Sequence, residues 1–115
     1  MDPHDAYLAA RDEAARARLL DIRAAIEARV PGTSRCMAYQ MPALKKDRVV
    51  IYFASFKHHI GIYPPVTAPS ELVAELEPWR GPKGNLSFPH KDPLPLDLIT
   101  RVGEALAAHY GQDGV

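Results

Sequence analysis

The segment RVVIYFASFKHHIGIYP, residues 48–64, decides the fold. Two apolar stretches flank a short polar break, which reads as two strands joined by a tight turn at Phe56 and Lys57. On residues 49–55 one face holds Val49, Ile51 and Phe53, and the other Val50, Tyr52 and Ala54. A strand apolar on both faces belongs in the middle of a sheet. On residues 58–63 only one side is purely apolar, with Ile60 and Ile62; the other presents His59, Gly61 and Tyr63. Pro64 and Pro65 then stop the sheet.

Upstream, residues 33–41 alternate and predict a further strand, with Met37, Tyr39 and Met41 on one side and Cys36, Ala38 and Gln40 on the other. Pro42 breaks it or marks a bulge. Ala43 and Leu44 form a short strand, and residues 45–48 a polar hairpin turn. Before these, residues 3–29 predict one helix with an irregular start. Alanine is abundant there, and Leu19, Ile22, Ile26 and Val30 recur at helical spacing, extended by Leu8 and Ala15. Asp12 with Arg16, Arg18 with Asp21 and Arg23 with Glu27 are spaced as surface ion pairs. Pro31 and Gly32 end the helix.

Downstream, residues 67–77 predict a second helix, burying Leu72, Val73 and Leu76, with Trp79 folded onto the core just past it. The helix stops at Glu77 because the residue before a proline avoids helical geometry. Residues 80–84 are a loop and 85–88 a last short strand. Residues 95–110 make the final helix, with Leu98, Ile99, Val102, Ala105 and Leu106 inward, Asp97 at its positive end and Gly111 capping its exit. Residues 112–115 read as a frayed tail. Strands joined by short turns make the sheet mainly antiparallel. The expected fold is an α+β two-layer sandwich of four to five strands, with three helices on one face.

At 115 residues the chain is long enough for a single domain, 1–115, and its 47% hydrophobic content suffices for a core. A formal net charge of +0 provides no long-range field to gather nucleic acid or an anionic membrane, so neither is expected as a partner. The single cysteine, Cys36, has no internal disulfide partner and fits a reducing cytoplasm. The N-terminus lacks the basic start and apolar core of a secretion signal, and no apolar run approaches bilayer length.

Four segments carry a family resemblance. MAYQMPAL (37–44) resembles the SYGMPAF segment of the bacterial YdhG-like family, and YFASFKHHIGIYP (52–64) is similar to its YFAAFKxHIGFYP. KGNLSFP (83–89) and PLPLDLI (93–99) look like its KGxIxFP and PLPLDLI. The resemblance implies a frataxin-like α/β sandwich. Some members are described as frataxin-like iron chaperones that supply iron for iron–sulfur cluster and haem assembly; many others have no assigned role. The expectation carried by the resemblance is therefore a non-catalytic cytoplasmic iron donor, with transient iron as cargo and cluster- or haem-assembly proteins as partners.

Iron delivery calls for exposed oxygen ligands. Glu71 and Glu75, at i and i+4 on one helix face with no base nearby in sequence, are the candidate metal pair, against the plainer and preferred reading of a solvated helix face. His58 and His59 look like a metal pair, but adjacent strand residues point to opposite faces. The alternative site is a set of Tyr39, Tyr52, Lys57, His59, Tyr63 and Lys83, with Gly84 bringing backbone N–H groups close. Hydroxyls, an imidazole and ammonium groups suit a small anionic ligand. A third expectation is an interaction module, monomeric or homodimeric, using an exposed aromatic face. Cys36 has no histidine neighbour, and Ser55, Ser70 and Ser87 lie in no nucleophile-elbow pattern, so no catalytic residue is assigned.

Overall fold

The computed structural model describes residues 2–111. The element order is α1 (Pro3–Ala9), α2 (Glu13–Arg29), β1 (Ser34–Ala38), β2 (Met41–Lys45), β3 (Val49–Ser55), β4 (His59–Tyr63), α3 (Ser70–Glu75), a 3₁₀ turn (Glu77–Trp79), β5 (Leu86–Pro89) and α4 (Leu96–Tyr110). The strands form one five-stranded antiparallel meander in chain order, β1 to β5. The fold is therefore α+β as expected, with β3 at its centre. The tail expected at 112–115 lies outside the described residues.

One core joins sheet and helices. Leu8 of α1, Leu19, Ile22 and Ile26 of α2, and Ile99, Val102 and Leu106 of α4 pack with Leu44, Ile51, Phe53, Ile60, Ile62, Leu86 and Phe88 of the strands. The register explains the alignment: Phe53 opposes Ile62, which opposes Leu86, and Ile60 opposes Phe88. Every second residue of three adjacent strands thus faces the helices. Trp79 closes this layer over Phe88, ring centroids 5.7 Å apart.

Three local expectations change. The helix expected over 3–29 is two helices. Asp12 is the N-cap of α2 and accepts from the Ala15 N–H at 2.8 Å, as Asp2 does from Asp5 for α1. Arg16 does not pair with Asp12; it donates to the carbonyls of Leu8, Ala9 and Arg11, which satisfies the exposed end of α1. The other two pairs also dissolve into longer-range partners. Arg18 donates to Pro89 O, Arg23 to Asp5, and Glu27 accepts a two-point contact from Arg35 at 2.8 and 3.0 Å.

The strand expected over 33–41 is also two elements. Its alternation hides a hairpin whose tip is Tyr39 and Gln40, both with positive φ, 52° and 64°. Two such residues give the turn twist that a two-residue hairpin needs. Pro42 sits inside β2 opposite Met37, next to this tip, where pairing with β3 has not begun. Finally, the helix expected to reach Glu77 ends as a single short element, α3, and the 3₁₀ turn carries the chain to Trp79.

Candidate functional site

The side of β3 and β4 turned away from the core carries the tyrosines. Tyr52 opposes Tyr63 in the ladder, and their rings stack with centroids 5.4 Å apart and planes 18° from parallel. Tyr39 reaches back from the hairpin tip to lie 5.2 Å from Tyr52. It remains 79% exposed, the most open large apolar side chain among the described residues. A row of three aromatic rings therefore crosses the sheet.

Gly61 makes the row possible. A Cβ built there would lie 2.5 Å from the Tyr63 hydroxyl oxygen and 2.9 Å from two ring carbons. The Tyr63 ring thus lies flat over Gly61, where any side chain would lift it. Burial, and then the neighbouring Tyr39, Tyr110 and Tyr63 hydroxyls, push the Tyr52 phenol above its ordinary value. Tyr52 accordingly stays neutral and acts as a hydrogen-bonding group, not an anion.

Two clefts flank the row. Tyr39, Tyr52, Pro64 and Tyr110 line one of about 430 Å³. At the other end His59, Tyr63, Lys83, Asn85 and Ser87 line one of about 300 Å³. The 80–84 loop is held by Gly81 N–H to Asn85 O and Gly84 N–H to Gly81 O, at 2.8 and 2.9 Å. Gly84 takes φ +86° in that turn. Its N–H is spent inside the loop, so the backbone donor expected at Gly84 is not offered to the cleft, and Lys83 contributes its side chain there. A third cleft, about 530 Å³, lies beyond His59 and holds Lys57, His58, Ser87, His90 and Lys91.

Of the six expected binding residues, the structure brings Tyr39, Tyr52 and Tyr63 into one stack, and His59, Tyr63 and Lys83 into one cleft. Lys57 meets His59 only in the cleft beyond, away from Lys83. His59 stacks on Phe56, centroids 5.1 Å apart, which sets its ring at the join of the two clefts. Asn85, Ser87 and Tyr110 were not anticipated. Ser87 was legible: it alternates with buried Leu86 and Phe88, and so must face the tyrosine side.

The carboxylate pair fares differently. Glu75 is bound to Arg101 of α4 at 2.7 Å, and this hydrogen bond holds its carboxyl below the ordinary range. The expectation of a carboxylate without a basic neighbour is thereby corrected: α4 supplies the base that the local sequence lacks. Among the described residues no three His, Cys, Asp or Glu side chains come together as a metal site. Cys36 is half-buried and burial raises its thiol, which makes it a poor nucleophile.

A solved structure shares this fold. The crystal structure of YdhG, a DUF1801 family protein from Bacillus subtilis, superposes with a TM-score of 0.78 at 18% identity, over 100% of this chain and 96% of that chain. At that identity the likeness establishes the fold alone, the α+β fold of a YdhG-like protein. No protein-family model and no curated protein matches the sequence. No helix among the described residues is long and apolar enough to cross a membrane.

Proposed function

We propose that this chain, which has the fold of the YdhG-like protein, binds a small anionic molecule with a planar part on the tyrosine side of its sheet. The observation that carries the reading is the stack of Tyr39, Tyr52 and Tyr63 ending at the His59 and Lys83 cleft. Aromatic faces take a planar group, while an ammonium and an imidazole take its charge. The positive φ of Tyr39 adds support, because a residue held in a sparsely populated conformation beside a cleft is a mark of function.

A thermal-shift panel of aromatic carboxylates and phosphates tests it. A hit should raise the midpoint in wild type, and Lys83→Ala, His59→Ala and Tyr63→Ala should each reduce the shift. A shift that survives all three substitutions rejects the site. The iron-donor reading rests on the family resemblance alone. Anaerobic Fe(II) titration addresses it: binding no tighter than about 1 mM, or roughly 4 kcal/mol, would sink it. Unchanged binding in a Glu71→Ala/Glu75→Ala variant would remove only those two residues from it.

A further inference from the structure

At the other end of β3, on the helix side, a cleft of about 530 Å³ is lined by Arg11, Asp12, Arg18, Ser55, Lys57 and His90. It shares no residue with the Tyr63 and Lys83 cleft. Three permanent cations face one carboxylate there, and Asp12 already serves the first turn of α2 by accepting from Ala15.

The donors are fixed in place and only partly used. The Arg11 guanidinium lies over the Tyr7 ring, 4.3 Å from its centroid, with Nε donating to Tyr7 O. Arg18 is anchored by Nη2 to Pro89 O at 3.1 Å, while its Nε is buried and has no partner among the described residues. That Nε is sealed from the cleft, so what Arg18 brings there is its charge. His90 Nε2 lies 2.8 Å from Phe56 O and 3.2 Å from Ser55 Oγ. A carbonyl can only accept, so Nε2 carries the proton and Ser55 Oγ also faces a donor. The Ser55 hydroxyl proton is consequently free of His90. Lys57, on the β3–β4 turn, is exposed at the mouth.

We propose that this cleft is a second binding site, for a phosphate group. Donors converge from the α1–α2 connection, α2, β3 and the β3–β4 turn. A tetrahedral oxyanion offers acceptors in as many directions, whereas a carboxylate offers them in one plane. The cleft has room for the body that carries the phosphate.

Calorimetric titration of the whole chain with inorganic phosphate and with glycerol phosphate, against acetate, tests the proposal. Phosphate binding is expected at Kd below about 1 mM, with acetate at least roughly tenfold weaker. Lys57→Ala and Ser55→Ala should each weaken it, Lys57→Ala by about tenfold, the loss of one charge-assisted hydrogen bond. Both residues lie outside the buried core, so neither test depends on a variant that fails to fold; Arg18→Gln would also release Pro89. Lys46→Ala, exposed and outside both clefts, should leave binding unchanged, which separates this site from general surface charge. Tighter binding of the ester supports a phosphorylated small molecule as occupant, and equal binding supports free phosphate. Absence of binding by either up to about 10 mM overturns the proposal. So does binding unaffected by Lys57→Ala and Ser55→Ala, or binding lost on Lys46→Ala.

Discussion

The two sides of the β3–β4 hairpin differ in what their side chains are asked to do. Toward the helices, Ile51, Phe53, Ile60 and Ile62 are all 0% exposed and packed into one core. On the opposite side the same two strands present Tyr52, Tyr63 and His59, half-buried, around Gly61. The core side gains from removing apolar surface from water. The tyrosine side forgoes that gain: it keeps a glycine in mid-strand, a tyrosine almost wholly in solvent and two non-glycine residues at positive φ. Stability is concentrated on one side of the sheet, and the features that are poor for stability are gathered on the other. That separation is why the tyrosine side is the place to look for a ligand.

The sharpest break in the comparison comes from Phe53→Ala. It should lower unfolding free energy by about 3–5 kcal/mol in a urea titration, the cost of a large cavity in a tight core. Ligand shifts should persist wherever the variant remains folded. Next, Gly61→Ala should cost about 1–3 kcal/mol, because the Tyr63 ring must leave its seat. Adding Tyr63→Ala to Gly61→Ala should recover part of that loss. Full additivity of the two would show that ring and glycine are not coupled.

A third effect is graded by pH. His4 is 2% exposed; its ring nitrogens lie 3.0 Å from Arg23 Nη1 and 3.2 Å from Ala43 O. Burial, followed by the Arg23 charge, holds its imidazole below the ordinary 6.5. As pH falls below 6.5 the unfolded chain takes up the proton first. Stability therefore declines with falling pH and levels off once the folded His4 also titrates, at no more than about 1.4 kcal/mol per pH unit. Asp5 and Glu27, held low by Arg23 and Arg35 hydrogen bonds, act only around and below 3.8 and 4.5. Denaturation midpoints between pH 7.5 and 5 check this, and a slope unchanged in His4→Gln would assign it elsewhere.

The smallest effect has the opposite sign. Replacing Tyr39 and Gln40 with Asn and Gly should stabilise the hairpin by up to about 1 kcal/mol, since both new residues accept positive φ readily. The same change should weaken any ligand that stacks on Tyr39. A destabilised hairpin, or unaltered binding, would blur the contrast between the two sides.

Much of this was legible in the chain itself. Period-two alternation found both strands of the hairpin, the central place of β3 and their faces from Ile51 onward. The bulge at Leu44 and Lys45 instead turns Val49 to the tyrosine cleft and Val50 into the core, and His58, outside β4, lines one cleft with His59. Helical spacing found the buried stripes of α2 and α4, and Pro64 marked where β4 stops, whereas Pro42 lies inside β2. Positive φ at Tyr39 and Gln40 left no trace, because these residue types do not ordinarily form such turns and the alternation runs through them unbroken. The break between α1 and α2 was hidden similarly: Asp12 was read as an ion-pair partner when it was an N-cap.

The sequence alone thus determined the central hairpin, the two long helices, their order and the two-sided character of the sheet, because periodicity acts between residues a few positions apart. Tertiary structure decided the partners. Arg101 neutralises Glu75 from another helix, Arg18 turns to Pro89, and Tyr63 comes to rest beside Lys83. Charges and rings choose the neighbour that folding brings within a few ångströms, and neither spacing nor composition carries that distance.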